Sequence, residues 1–186
     1  MSKMSLEELR HETRELLGTS GPIARSSNSW AVPVRPSLLD GSTLLAGSTV
    51  ELLGYPESWL MQLFSAHPET RVAWIEARLT LFPTAITQKG VDLSRFLFVE
   101  TEDEWDWSLS QILRSKLFSF VVLRDHDFPE IKQNSFLRKL QIQVERSGSV
   151  LFLLSSQSTS SFCVTHRYYI GPESKNEFRV LKEKRG

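Results

Sequence analysis

The sequence predicts an α/β fold in which a mostly parallel sheet lies between two layers of helices and ends in an antiparallel hairpin. Residues 120–123 and 150–154 are continuous apolar runs, as is typical of strands that are buried on both faces. From Thr49 onward, strand patterns alternate with helix patterns, which favours parallel strands joined by crossover helices. Near the C-terminus, two strand-like segments flank a turn over residues 171–176, which indicates the hairpin at one edge of the sheet.

The boundaries of these elements follow from runs of apolar residues and from the glycine, proline and polar residues that separate them. The predicted strands are residues 49–53, 72–77, 96–99, 119–123, 150–154, 166–170 and 177–181, and the predicted helices are residues 58–66, 83–89, 104–116 and 135–147.

A separate short helix is predicted before this region. Ser5 and Glu8 have the spacing of a capping box, and Gly18 ends the helical pattern. We therefore divide the chain into an amphipathic helix over residues 1–18, a linker or draped segment over 19–39, and a core domain over 40–186. The helix either packs on its own domain or docks on another subunit or partner. Its leucine face consists of Leu6, Leu9, Leu16 and Leu17.

Composition excludes several classes of protein. The formal net charge is +0, which argues against a dedicated non-specific nucleic-acid binder. The single cysteine, Cys163, excludes an internal disulfide and a cysteine-rich metal site. The four histidines lack metal-ligand spacing, and no Gly-x-Ser-x-Gly motif supports serine hydrolase chemistry. With no apolar run of the roughly 18 residues that a membrane span needs and no secretory signal, we expect a cytoplasmic protein.

The segment from Gly54 to Met61 occupies the place of a phosphate-binding loop. The first strand runs into Gly54, and the loop motif then requires four residues followed by Gly-Lys-Ser/Thr. Trp59, Leu60 and Met61 stand at those last three positions. Leu60 cannot pair with phosphate charge, and Trp59 would crowd the space in which backbone amides approach the phosphates. The sequence therefore predicts a degenerate loop that binds no nucleotide cofactor and no metal.

A second position, at which a nucleotide-binding protein would hold magnesium, is also altered. The strand over residues 119–123 should end in an aspartate that holds magnesium, but Arg124 follows it. A one-residue bulge could bring Asp125 into that place. Asp125, His126 and Asp127 otherwise read as a polar loop, with a metal site as the alternative.

The order of these pieces resembles the ATP-binding core of RecA-type recombinases. The resemblance rests on Val50–Ser58, on Ala73–Ala77, on Lys89–Leu97, on Gln157 after the fifth strand, and on the ending Arg179–Lys184. It implies a RecA-like three-layer fold. It also implies that Gln157 corresponds to a phosphate-sensing glutamine and that Lys182 and Lys184 correspond to lysines that reach a neighbouring subunit's nucleotide.

The departures from the RecA pattern concern catalysis. Arg78 falls where the catalytic glutamate is expected, so Leu60, Arg78 and Arg124 all replace catalytic groups, and no enzyme activity is expected. The loop that would follow Gln157 and bind DNA is short, which makes strand exchange improbable. The short chain and its basic ending are most similar to ImuA, the RecA-like accessory protein of bacterial mutagenesis cassettes, and the cell-division inhibitor SulA shares the trimmed fold.

The resemblance implies a non-catalytic adaptor of damage-induced translesion DNA synthesis in the bacterial cytoplasm, as part of the DNA damage (SOS) response. Its implied partners are an inactive Y-family polymerase homologue and an error-prone polymerase, with RecA pairing and self-association as further expectations. DNA contact is left open. The contact surfaces would be the leucine face and the basic ending, which can also be read as a solvated edge strand. The alternatives are a SulA-like inhibitor of the tubulin-like division protein and a protein with weak residual ATP binding. The basic residues of the ending are Arg179, Lys182, Lys184 and Arg185.

Overall fold

The computed structural model describes residues 29–31, 43–124, 134–156, 158, 163–172 and 177–183. Its strands are β1 (Ser29–Ala31), β2 (Thr43–Leu45), β3 (Thr49–Gly54), β4 (Val72–Glu76), β5 (Phe96–Glu100), β6 (Phe120–Arg124), β7 (Val150–Ser155), β8 (His166–Ile170) and β9 (Phe178–Glu183). Its α-helices are α1 (Glu57–Ala66), α2 (Pro83–Gln88), α3 (Trp105–Ser115) and α4 (Asn134–Ser147), and Leu93–Arg95 forms a 3-10 turn.

Seven strands form one sheet in the order β5-β4-β6-β7-β3-β8-β9. Every pairing in it is parallel except that of β8 with β9, which is antiparallel. This arrangement confirms the predicted fold class, including the hairpin at one edge. Because β4, β6, β7 and β3 are neighbours and run in the same direction, the residues that follow them meet at one end of the sheet.

Two apolar clusters cover the two faces of the sheet and confirm the three layers. On one face, Val50, Trp74, Phe120 and Phe152 pack under α1 and α2. On the other face, alternate strand residues pack under α3 and α4, which contribute buried leucines, an isoleucine and a valine. Alternate side chains of a strand point to opposite faces, so the continuous apolar runs read from the sequence serve both clusters.

The segment that leads into the core differs from the expectation. The Ser-, Pro- and Gly-rich stretch over residues 19–39 showed no strand pattern, but its Ser29–Ala31 forms β1 and pairs antiparallel with β2. Three-residue strands are too short to give a period-2 signal, which explains why they were missed. The predicted N-terminal helix and its leucine face lie outside the described residues.

Helix α1 is held at its C-terminal end by one arginine. The guanidinium of Arg95 donates to the carbonyl oxygens of Phe64 (3.2 Å), His67 (2.9 Å) and Thr70 (2.9 Å). The last carbonyls of a helix lack partners within the helix, and a cation there also suits the helix dipole. Burial lowers the pKa of Arg95, but a guanidinium stays protonated at neutral pH. This contact fixes where α1 lies on the sheet and therefore where its N-terminus points.

Candidate functional site

The connection between β3 and α1 is the first element of the site, and it is shorter than the sequence predicts. Only Tyr55 and Pro56 separate the end of β3 from the start of α1 at Glu57. The N–H of Leu60 donates to the carbonyl of Pro56 at 2.9 Å, so the first helical turn begins directly after Pro56. The predicted start of this helix, at residue 58, is within one residue of the observed start at Glu57.

Gly54 has a structural role at this connection. Its φ is +88°, and a Cβ added there would lie 2.2 Å from the carbonyl oxygen of Ile170 on β8. The next residue, Tyr55, donates its N–H to that same oxygen at 2.8 Å. A left-handed conformation and a close backbone approach both favour glycine. The feature that suggested a phosphate-binding loop is therefore explained by the junction between β3 and β8.

The residues expected at the phosphate positions lie in helix α1 with their side chains in the core. Trp59, Leu60 and Met61 are all buried. The Trp59 ring lies 6.2–6.3 Å from the rings of Phe152, Tyr168 and Phe178, measured between centroids. The expectation that Trp59 crowds a phosphate loop is wrong, since a residue in the first turn of α1 on this side faces the sheet.

A network of charged side chains occupies the ends of β4 and β6 beneath the N-terminus of α1. Arg124, the last residue of β6, donates from Nε to Glu76 Oε1 at 2.9 Å and from Nη2 to Glu57 Oε1 at 2.8 Å. Glu76 is the last residue of β4 and is fully buried, whereas Glu57 is the first residue of α1 and is half-buried. We call Glu57, Arg124 and Glu76 the arginine bridge. It joins two neighbouring strands to the first turn of α1.

The buried carboxylate of Glu76 has further donors. It accepts from the indole Nε1 of Trp74 at 2.8 Å, from the backbone N–H of Thr80 at 2.6 Å and from the Thr80 hydroxyl at 3.0 Å. A buried carboxylate is tolerated when it is paired and hydrogen-bonded, and Glu76 meets both conditions. These protein donors, together with Arg124, account for the burial of the Glu76 carboxylate.

The other residues that the sequence singled out for this end of the sheet include Arg78 and the residues around Arg124. Arg78 is exposed, in the bend after β4. The register of β6 with β7 is regular up to Arg124, which lies opposite Leu154, so no bulge precedes Arg124. Asp125, His126, Asp127 and Gln157 lie outside the described residues. Among the residues that are described, no group of three His, Cys, Asp or Glu side chains could hold a metal ion, and no helix is long and apolar enough to cross a membrane.

Sequence reasoning missed both buried glutamates. Glu76 was read only as part of a strand, and Glu51, in the middle of β3, was not singled out although it is also fully buried. Glu51 forms an ion pair with Arg167, the residue opposite it on β8. The available signal was a glutamate inside an otherwise apolar strand, which requires a buried partner. The sequence could not identify that partner, because Arg167 is 116 residues away from Glu51.

The basic ending lies on β9, the strand at one edge of the sheet. Arg179 is exposed, forms an ion pair with Glu177 and places its guanidinium carbon 5.9 Å from the centre of the Tyr169 ring. Lys182 is half-buried and lies opposite Arg167 in the register. The first residue of this strand, Phe178, packs on Trp59, so β9 borders the Gly54–Met61 segment through its apolar start, while Arg179 pairs within the hairpin. Lys184 and Arg185 lie outside the described residues.

Comparison with known proteins identifies the fold. No protein-family model and no curated protein matches the chain. A KaiC-like protein from the hyperthermophilic archaeon Pyrococcus horikoshii OT3 superposes with a TM-score of 0.52 at 14% identity, over 75% of this chain and 80% of that one. The RadB recombinase superposes with a TM-score of 0.58 at 12% identity, over 75% of this chain and 82% of that one. With these neighbours and the strand order above, the chain has the RecA-like fold.

Proposed function

We propose that this protein is a RecA-like adaptor of damage-induced translesion DNA synthesis, similar to ImuA, and that it acts through protein contacts without hydrolysing ATP. The observation that carries the second half of the proposal is the arginine bridge. Arg124 binds the carboxylate of Glu57 in the first turn of α1 at 2.8 Å and that of Glu76 at the end of β4 at 2.9 Å.

The chemistry of the bridge opposes nucleotide binding in two ways. Magnesium is held by carboxylate and hydroxyl oxygens together with the phosphates, and here the oxygens of Glu57 and Glu76 already accept from a guanidinium. The N-terminus of a helix attracts phosphate through its dipole and its N–H groups, but the first turn of α1 carries the negative charge of Glu57. An anion that approached α1 would meet a carboxylate.

The geometry of the connection adds a third obstacle. A phosphate-binding loop wraps around the phosphates with several backbone amides, whereas the connection from β3 to α1 consists of Tyr55 and Pro56. Proline has no N–H, and the N–H of Tyr55 donates to Ile170. The segment therefore lacks the amides that would cradle phosphate.

The adaptor role is inferred from the resemblance to ImuA and from exposed surface at the C-terminal edge. Val180 and Leu181 are 39% and 50% exposed on β9, beside the exposed Arg179. Apolar and arginine side chains at an exposed edge suit a protein partner. The inactive Y-family polymerase homologue is the partner we propose to test first.

Co-purification of that homologue with variants of this protein tests the adaptor role. We expect that deleting residues 1–18, or replacing Lys182, Lys184 and Arg185 by glutamate, reduces the recovered complex by about tenfold or more, which corresponds to a loss of about 1.4 kcal/mol or more of binding free energy. Removing the last ten residues is unsuitable, because that truncation deletes β9, whose Phe178 packs on Trp59.

A matched control is available on α4. Arg138, Lys139 and Arg146 are exposed there, and replacing them by glutamate makes the same change in charge away from β9. We expect this control to bind like the wild type. If the deletion and the tail variant both bind as well as the control, the assigned surfaces are wrong. Inhibition of the tubulin-like division protein's GTPase by the purified protein would instead favour the SulA-like role.

A further inference from the structure

The loop that follows β4 presents two apolar side chains to solvent. Phe82 is 75% exposed and Leu79 is 37% exposed, whereas Leu81 between them packs against the core. The loop lies beside β5, which is one edge strand of the described sheet, while β9 is the other. Single exposed apolar residues are common, but two in one loop form a small apolar surface. We call Leu79 and Phe82 the loop patch.

Hydrogen bonds fix the backbone of this loop. The N–H of Leu79 donates to Glu100 Oε2 at 2.9 Å, and the N–H of Thr80 donates to the buried carboxylate of the arginine bridge at 2.6 Å. The carbonyl of Phe82 accepts from the N–H of Ala85 at 3.0 Å, at the start of α2. A surface whose backbone is already ordered loses less conformational entropy when a partner binds. The loop patch is therefore well suited to docking.

Carboxylates border the loop patch on the side of β5. The bond from Leu79 to Glu100 joins the loop to residues 100–106, which end β5 and lead into α3. This segment contains five acidic residues and no basic one, and residues 78–82 contain one basic residue, Arg78. The acidic residues are all exposed, and they are Glu100, Glu102, Asp103, Glu104 and Asp106. Negative charge before α3 suits the helix dipole, and it also makes the potential around the loop patch negative.

This charge selects the kind of partner. The phosphates of nucleic acids and of anionic membranes would be repelled, whereas lysine and arginine side chains of a protein would be attracted. Large apolar side chains near the centre of an interface supply much of its binding energy, and charges at the rim add specificity. Phe82 fits the first role and residues 100–104 fit the second. An amphipathic helix bordered by lysines offers the complementary combination.

We propose that the loop patch docks an amphipathic helix of a partner protein, whose leucine-type side chains cover Phe82 and Leu79 and whose lysines or arginines face residues 100–104. This surface is additional to the leucine face and the basic ending that the adaptor role assigns. The inference rests on the proposed function for its biological role. Its physical basis is the exposure, the fixed backbone and the charge of the loop patch and its border.

Calorimetric titration of the full-length protein with a peptide of about 14 leucine and lysine residues, with the leucines on one helical face, tests the proposal. We expect saturable binding with a Kd at or below about 1 mM, and none with a matched peptide in which glutamate replaces lysine. Phe82→Ala should weaken binding by about tenfold, because the burial of the ring is lost. Phe82→Leu keeps an apolar side chain and should bind within about threefold of the wild type.

Two further comparisons separate the loop patch from general attraction to a basic peptide. Leu79 and Ile142 on α4 are both 37% exposed, so they form a matched pair. Leu79→Ala should weaken binding by about threefold, and Ile142→Ala should leave it unchanged. Replacing the acidic residues at 102–104 by their amides should weaken binding by about threefold or more, because the lysines of the peptide lose their partners.

Amide chemical shifts of the wild type, followed by NMR, provide a readout that does not depend on a variant folding. The leucine–lysine peptide should shift the resonances of residues 79–82 and 100–104 more than those of β9. Absence of saturable binding, equal binding of both peptides, equal binding of the wild type and Phe82→Ala, or shifts centred on β9 would each overturn the proposal.

Two outcomes concern other occupants and the adaptor role. A wild-type dimer that Phe82→Ala dissociates, measured by sedimentation, would place a second copy on the loop patch and would overturn the proposal. If the leucine–lysine peptide binds as expected while the polymerase homologue fails to co-purify, the adaptor role is wrong and the docking surface stands.

Discussion

Two arginines, one on the central strand β6 and one on the edge strand β9, each pair with glutamate in different surroundings. Arg124 has a side chain that is 19% exposed and bridges the buried Glu76 to Glu57, linking β4, β6 and α1. Arg179 has a side chain that is 68% exposed and pairs with Glu177 on its own hairpin. The arginine bridge connects three elements of the core, whereas the pair of Arg179 and Glu177 lies at the surface of the last strand.

This difference indicates which charged residues stabilise the fold and which remain available for binding. A charge pair taken out of water must be fully bonded, because breaking it leaves an uncompensated charge inside the protein. The arginine bridge therefore commits its residues to holding the helix and sheet together. An exposed pair is weakly stabilising, and its members remain available to a partner. We infer that the end of the sheet where a RecA-like fold places its ligand has become structural, and that binding has moved to the edge of the sheet.

The largest effect is expected from removing the arginine of the bridge. Arg124→Ala leaves Glu76 fully buried without its guanidinium partner, so the free energy of unfolding should fall by about 3–5 kcal/mol. Urea denaturation followed by circular dichroism measures this free energy. The control is Arg114→Ala on the exposed side of α3, which should change stability by less than about 0.5 kcal/mol. A loss below about 1 kcal/mol for Arg124→Ala would indicate an exposed pair rather than a buried one.

Gly54 gives the next largest effect. Gly54→Ala forces a side chain into a left-handed conformation, at about 1–2 kcal/mol, and adds a contact of 2.2 Å with the Ile170 carbonyl. Gly90→Ala is the matched control, since Gly90 also has a positive φ, +77°, but its nearest neighbour lies at 3.8 Å. Thermal unfolding should therefore show a clearly larger loss of stability for Gly54→Ala than for Gly90→Ala. Equal losses would mean that β8 does not constrain this junction.

The smallest effect is expected at the exposed pair. Arg179→Ala removes both the ion pair with Glu177 and the contact with Tyr169. The free energy of unfolding, measured in urea, should nevertheless change by no more than about 1 kcal/mol. This variant sharpens the comparison, because it deletes the same type of side chain as Arg124→Ala. A loss similar to that of Arg124→Ala would show that the two arginines are equivalent, and the distinction between stabilising and available residues would then be wrong.

Most of the fold could be predicted from the sequence, because its signals are local. Continuous apolar runs such as residues 150–154 identify buried parallel strands, and the predicted boundaries differ from the observed ones by at most two residues. The start of α1 was predicted within one residue, at 58 instead of Glu57. Strands β1 and β2 were missed because each has only three residues.

The candidate site was less predictable, because its contacts are long-range. Arg124 was identified as a cation in an unexpected place, but its two partners were not. Glu76 lies 48 residues before it and Glu57 lies 67 residues before it, and only the strand order brings them together. The same holds for Glu51 and Arg167. Sequence pattern can indicate that a buried charge needs a partner, but topology decides which residue supplies it.

Magnesium-ATP binding measured by isothermal titration calorimetry tests the central claim most directly. Trp59 fluorescence is unsuitable, because that ring is packed against Phe152, Tyr168 and Phe178. With an active RecA-type ATPase as the positive control, we predict no saturable heat for this protein up to about 1 mM ATP. Saturable, magnesium-dependent binding would contradict the account, since it would require Arg124 to release Glu57 and Glu76.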